Sequence, residues 1–473
     1  MDDKEELIPK KKKNNNNNIS HNSNTSTNSF ILNIDEPIKI KNDKNIIERR
    51  KKRRQKVTKF CIGFCVINLL IYFVITNFYF KRYTTFYNMY NPVSENGDKL
   101  SLLYNHLIDN DLVSNGNGLY QYNNSYVFKG NVNNNYVLFN NMLWRIIKIN
   151  DNGTVNIILD DYINLLPWSN NVSSFNNSEI YKYLNNYFLR NIDTNYLEKT
   201  DICLDTIDKL DNITCNNRNY DYVSLLDITS FLNSFNNDES YLVSDNDIFW
   251  LSNRSVDKVW NTFGKKLSLS DSKEFYHIRP VIRLKKLTTI LNGNGTKDNP
   301  FVINTDMSIG SVVELDNDKW IIYDINDDNL MLMSYELIDK EYRYDKVFEY
   351  NKENEGSLAK YLNNDYYNDL SYKNLLIENN WYDGEYQNSI YDVLNTSALS
   401  YVGIPNILDI KFNHFSDNYY LSTNIDEYMI TYGNYIKYSS PMVYRNIRPC
   451  IKISRNYNWK GDGTVNSPYK ISL

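Results

Sequence analysis

The alternation of apolar and polar positions along this chain spells one pattern twice. Tyr136–Phe139, Met142–Ile149 and Thr154–Leu159 are apolar runs broken at Asn140-Asn141 and at Asn150–Gly153. Asn and Gly tolerate the left-handed backbone of tight turns, so the runs predict a meander of strands. Val312–Leu315, Trp320–Ile325 and Leu330–Met333, broken at Asp316–Asp318 and Asn326–Asn329, predict a second meander. After each one the apolar spacing lengthens to that of a helix. Ile180, Tyr183, Leu184, Tyr187 and Phe188 share one helical face, with Ser178 placed to cap its start. Leu358, Tyr361, Leu362 and Tyr366 repeat the stripe. Shorter strand-like runs follow at Tyr222–Leu226 and Ile248–Leu251. A last run carries Arg279-Pro280 in the first pattern and Arg448-Pro449 in the second. A proline within such a run predicts a sheet edge or a bulge, because it cannot donate to the ladder.

Fixed landmarks keep the two patterns in step. Trp144 answers to Trp320, and the Lys-Tyr-Leu-Asn-Asn of residues 182–186, with Leu184, recurs unchanged at 360–364, with Leu362. Each pattern closes on Gly-x-Gly-Thr, at 293–296 and 461–464. A period of roughly 170 residues is too long for a solenoid unit and suits a whole domain. The expected fold class is therefore α+β: two tandem copies of a mostly antiparallel sheet module with short helices, after a single transmembrane helix. The modules are assigned to residues 118–305 and 306–473. Leu100, Leu103, Tyr104, Leu107 and Leu112 predict a helical connector within 83–117, and the short Asn304–Met307 link holds the modules close.

Phe60 to Phe80 is a run of 21 residues without a charge. As a helix it would be roughly 32 Å long, enough to cross a hydrocarbon core. Arg49 to Lys59 supplies a basic flank before it. These features predict an anchor over 57–82 and a disordered, basic, cytoplasmic tail over 1–56. The corresponding location is the plasma membrane, crossed once, with the N-terminus cytoplasmic, the C-terminal bulk extracellular and membrane lipid as a partner. Through residue 59 basic residues outnumber acidic ones sixteen to eight, whereas beyond it 36 face 49. The acidic remainder argues against nucleic acid as a partner.

Chemistry is scarce. Cys203 and Cys215, 12 apart in a loop-rich stretch with no counterpart in the second copy, are a candidate disulfide. Cys450 stands where the first copy has Val281, which suggests a small buried side chain. The four histidines are isolated, and no His-Glu-x-x-His, Cys-x-x-Cys or Gly-x-Ser-x-Gly motif occurs. No catalytic residue, metal ligand or cofactor site is assigned. Arg279 and Arg448 are the charged residues that the duplication keeps in matching places. Either their stems pack while their heads pair with carboxylates, or their heads face a ligand.

Trp144 with Gly153, Ser178 with Leu184-Asn185, Val223–Leu226, Trp250-Leu251 and Arg279-Pro280-Val281 together resemble the motif series of a widespread family of surface and secreted modules from low-GC Gram-positive bacteria. The likeness spans about 355 residues. That family's motif order is similar to those of C-type-lectin-like and formylglycine-generating-enzyme-like folds, which implies a fold and no activity. The second copy departs from the pattern, with Gly403-Ile404 in place of the Leu pair and Met429-Ile430 in place of Trp250-Leu251. The expected function is non-catalytic binding or adhesion by duplicated modules, recognising a cell-surface glycan, a wall polymer or a protein. A carboxylate-dependent hydrolase and a transmembrane sensor are the alternatives.

Overall fold

The structure is a computed structural model. It describes residues 48–60, 62–69, 72, 100–211, 213–304, 306–326, 328–411, 418–433 and 435–472. These fall into two bodies, one within residues 1–82 and one within 83–473. In the first body, residues 48–60 and 62–69 are helical. The expected disordered tail thus meets helix over 48–56, and its remainder lies outside the described residues.

The membrane anchor is corrected. Among the described residues no helix is long and apolar enough to cross a membrane. The described helical residues begin with the charged run Arg49 to Lys59, and the uncharged ones that follow, Phe60 and 62–69, would rise only about 14 Å. Phe80, the other expected end of the span, lies outside the described residues. The single-pass plasma-membrane placement falls with the anchor. The fold class shifts too: strand outweighs helix, 36% against 19%, so the chain is mostly β, in several small antiparallel sheets.

In the second body, helix α1 (Leu103–Asn110) buries Leu103 and Leu107. The first module then runs β1 (Gly118–Tyr122), β2 (Ser125–Lys129), β3 (Tyr136–Phe139), β4 (Met142–Ile149), β5 (Val155–Leu159), α2 (Glu179–Lys182), β6 (Thr200–Cys203), β7 (Arg218–Asp221), β8 (Val223–Leu225), α3 (Ile228–Asn233), β9 (Trp250–Arg254), β10 (Val259–Phe263), β11 (Lys266–Ser270), β12 (Pro280–Leu284) and β13 (Phe301–Val302). The second runs β14 (Val312–Leu315), β15 (Asp318–Ile325), β16 (Asn329–Ser334), α4 (Leu358–Tyr361), β17 (Asn379–Tyr382), β18 (Ser397–Ser400), β19 (Val402–Gly403), β20 (Tyr419–Ile425), β21 (Tyr428–Tyr432), β22 (Lys437–Ser439), β23 (Cys450–Ser454), β24 (Trp459–Lys460) and β25 (Tyr469–Ile471).

The two main sheets repeat one another over six strands, and the β1–β2 hairpin extends the first alone. The first main sheet is ordered β8-β12-β5-β4-β3, with β13 parallel to β3. The second is β19-β23-β16-β15-β14, with β25 parallel to β14. Each module adds a three-stranded sheet, β9-β10-β11 or β20-β21-β22. Phe249 bridges to His277 beside the first of these and Tyr419 to Asn446 beside the second. Tyr420-Leu421 therefore corresponds to Trp250-Leu251, and Met429-Ile430 belongs to the next strand. The prolines sit at neither edges nor bulges. Pro280 opens β12, which lies between β8 and β5, and Pro449 immediately precedes β23. The first residue of a strand is a place where the missing N–H costs least.

Lys-Tyr-Leu-Asn-Asn does the same thing twice. Ser178 caps Tyr181 N–H and Ser357 caps Lys360 N–H, each at 3.1 Å. The helix then widens into a π turn over Tyr183–Phe188 or Leu362–Tyr366. Asn185 accepts from Val223 N–H and donates to its carbonyl, at 3.2 and 3.0 Å. Asn363 does so to Val402, at 2.9 and 2.8 Å. The asparagine thus pairs with the outer strand's backbone as another strand would, tying helix to sheet.

Hydrophobic packing continues from one module into the other. Tyr183 donates to the Ile410 carbonyl, Asn164 to the Ile407 carbonyl at 2.8 Å, and Tyr391 to the Glu179 carbonyl at 3.0 Å. Asp324 accepts from Arg190 and lies 3.4 Å from the Lys411 amine, which is fully buried and also donates to the Tyr323 carbonyl. Many of the 41 tyrosines fill this interior. Tyr183, Tyr323, Tyr344, Tyr419, Tyr420 and Tyr432 are among the largest fully buried side chains.

Candidate functional site

The landmark residues turn out to be structural. Trp144 and Trp320 are buried and donate to the Phe139 carbonyl at 3.0 Å and to the Tyr372 hydroxyl at 3.2 Å. Leu184 and Leu362 are fully buried. Arg279 donates to the carbonyls of Leu159 (3.0 Å), Leu242 and Asp160 (3.3 Å). Arg448 donates to those of Ser334 and Tyr335, both at 2.7 Å. Their guanidinium groups lie 5.1 Å from the Phe249 ring and 4.9 Å from the Tyr419 ring. Each arginine therefore fastens the residues just before β12 or β23 to the end of β5 or β16 through backbone carbonyls, with its guanidinium beside a ring at the start of the three-stranded sheet. Among the described residues, the hydrogen bonds of Arg279 all go to main-chain carbonyls and none to a carboxylate. His277 stacks on Tyr162 with ring centroids 4.1 Å apart, and burial pushes its pKa down to about 4, so it is neutral near pH 7.

A cleft of about 350 Å³ opens on the other side of the first module's main sheet. Strand alternation makes its floor. Along β12, Pro280, Ile282 and Leu284 face the core, so Val281 and Arg283 face the cleft, beside Asn156 of β5 and Ser224 of β8. One wall is the β6–β7 hairpin, whose loop is closed by the Cys203–Cys215 disulfide, with Cα atoms 5.7 Å apart. The other wall is α3 with Ser252 and Asn253 of β9. Asp227 caps α3 by accepting from Ser230 N–H at 2.9 Å, and Asn253 accepts from Ile228 N–H at 2.8 Å.

A bulge sets the charge of this floor. Between Ile146 and Lys148 the β4–β5 register slips, so Ile147 and Lys148 both reach the cleft. Arg283 donates to Asn156 (3.0 Å), to the Lys199 carbonyl (3.2 Å) and to Asp201 (2.5 Å). Asp201 is also paired with Arg218 at 2.7 Å. Burial raises the Asp201 pKa, but Arg283 and then Arg218 outweigh it and hold the carboxyl below its usual range. Among the described residues, the side chains of Lys148, Thr229, Asn233 and Ser252 line the cleft without a protein partner, as do those of Tyr122 and Thr200.

The second module fills the equivalent space. Hairpin β17–β18 answers to β6–β7, which sets Trp381 where the first module has Ile202. Gly403 pairs with Cys450 as Ser224 pairs with Val281. Trp381 is buried, donates to the Ser400 carbonyl at 2.9 Å and lies over Gly403, where a Cβ would come within 2.1 Å of its ring. An indole in place of a butyl group, with glycine making room, closes the cleft. The bulge recurs between Ile322 and Asp324, but there the charge it presents is Asp324, already paired with Arg190 and Lys411.

Of the residues singled out in the sequence, the two cysteines line the cleft, and so do Val281 and the Leu225-Leu226 pair. The signal that would have found the rest is difference between the copies: Ile202 against Trp381, Ser224 against Gly403 and Lys148 against Asp324. No protein-family model, curated protein or solved structure matches the chain.

Proposed function

We propose that this protein is a non-catalytic binding protein, and that its ligand, a glycan in the first instance, occupies the cleft of the first module while the second module serves as a scaffold. The observation that carries the reading is the asymmetry of the duplication. The same face of the same sheet is open in one copy and plugged by Trp381 in the other. Packing alone gives no reason to leave about 350 Å³ unfilled in one copy, a volume within the roughly 300–1,000 Å³ of small-molecule sites. The lining is rich in hydroxyl and carboxamide groups, which suit a polyhydroxylated ligand. A hydrolytic reading finds little support here. A carboxylate pair for glycoside cleavage needs one protonated acid, whereas Asp201 is held ionised by two arginines and Asp227 caps a helix.

The test is a glycan array probed with the full chain and with Ile202→Trp, which copies the second module's plug. Binding by the wild type that the variant loses, at an unchanged melting temperature, supports the reading. A silent array, or binding that the plug leaves intact, overturns it.

A further inference from the structure

We infer that the cleft selects an acidic saccharide, one that carries a carboxylate, with Lys148 as the group that reads the charge. This rests on the cleft being the ligand site. Consider which of its polar groups are already engaged. Asp201 pairs with both Arg218 and Arg283, and Asp227 and Asn253 serve the start of α3. What remains among the described residues is one ammonium, on Lys148, and neutral polar side chains, those of Thr200, Thr229, Asn233 and Ser252 with the rim hydroxyl of Tyr122, of which Ser252 is only 4% exposed. Among the lining residues three cations face two carboxylates, so one positive charge is left over for a ligand.

The same conclusion follows from the bulge. In each copy the slipped register delivers a charged residue to this end of the sheet. In the second copy that residue is Asp324, and Arg190 of the first module with Lys411 of the second balances it. In the first copy it is Lys148, half-buried, and no side chain balances it. A half-buried charge without a counter-ion is disfavoured, and a bound carboxylate would relieve it. Thr229, Asn233 and Ser252 offer both donors and acceptors, which is what successive sugar hydroxyls require and what a fatty or aromatic acid could not satisfy.

The test is titration calorimetry on the full chain with a galacturonic acid trisaccharide and with its methyl ester, which has the same hydroxyls and no charge. The acid should bind about tenfold or more tightly than the ester, the worth of one charge-assisted hydrogen bond. Lys148→Met should remove that preference by bringing the acid's affinity down to the ester's, and Lys148→Arg should restore most of it. Ser252→Ala with Asn233→Ala should weaken acid and ester alike. Equal binding of acid and ester by the wild type would overturn the charge assignment while leaving the cleft as a ligand site. Binding of neither probe would overturn the saccharide class, and the cleft itself would then stand or fall by the plugged variant on the array.

Discussion

At the scale of single residues, the duplication acts as an internal control that separates structure from function. Arg279 and Arg448 were legible as a matched pair, but whether their heads met carboxylate, ligand or backbone depended on where the chain ends of β5 and β16 lie, which local sequence does not encode. The pair's shared bonds to main-chain carbonyls mark it as a fastening. Arg279→Met keeps the packed stem and strips donors from the Leu159, Leu242 and Asp160 carbonyls. It should destabilise the chain by roughly 3 kcal/mol, since a buried acceptor left unmade costs about 1–3 kcal/mol. Urea unfolding would measure it, and Arg448→Met should show a loss of similar size. A change below about 0.5 kcal/mol, the range of an ordinary surface substitution, would contradict the fastening role. The cleft residues were illegible for the complementary reason. Ser224 and Ile202 are unremarkable alone, and only the volume of Trp381 over Gly403 shows what their smaller side chains leave open.

At the scale of elements, alternation and turn chemistry carried far. The meander strands, the Ser178 cap and the position of the Lys-Tyr-Leu-Asn-Asn helix all follow from local pattern. The misplacement of Met429-Ile430 had a physical source: β20 and β21 are both apolar and β-prone, so composition alone does not say which answers to β9. Register decided it. The hairpin wall is the element whose role is most directly testable. The disulfide closes the loop between Cys203 and Cys215, a separation of 12 residues. By chain entropy such a crosslink is worth up to about 3 kcal/mol. Replacing both cysteines with serine should loosen residues 204–217 and weaken ligand binding, while the second module keeps its protection. Hydrogen exchange read peptide by peptide would show faster exchange in β6 and β7 only. Uniform acceleration through β14–β16 would mean the crosslink supports the whole fold instead.

At the scale of the whole molecule, two modules joined by a short link share buried charge, and that makes their union sensitive to pH. Asp409 lies near Lys411, Asp324 and Arg190 at the junction. Burial pushes its carboxyl up to about 6 from an ordinary value of 3.8, against opposing pulls from the Asn406 N–H and Lys411. The sign follows from proton linkage. Between pH 4 and 6 the folded chain binds more protons at this site than the unfolded chain, so stability falls as pH rises through that window and stays at its lower level above it. At 1.36 kcal/mol per pKa unit the site contributes about 3 kcal/mol to that fall. Glu179, whose carboxyl is also raised by burial at the junction, adds to the slope with the same sign. Asp201, held low by its arginines, acts in the opposite sense and below pH 4. Asp409→Asn keeps an acceptor for the Asn406 N–H, at 3.0 Å in the native chain, and removes the titration. The variant should match the wild type near pH 3, below the unfolded value, and exceed it by about 3 kcal/mol at pH 7, with a flattened slope between. Urea denaturation at both pH values decides the point, because carboxylates elsewhere titrate alike in the two proteins and cancel in the difference. A variant less stable than the wild type at pH 7 would show that the Asp409 charge, paired with Lys411, helps to hold the modules together.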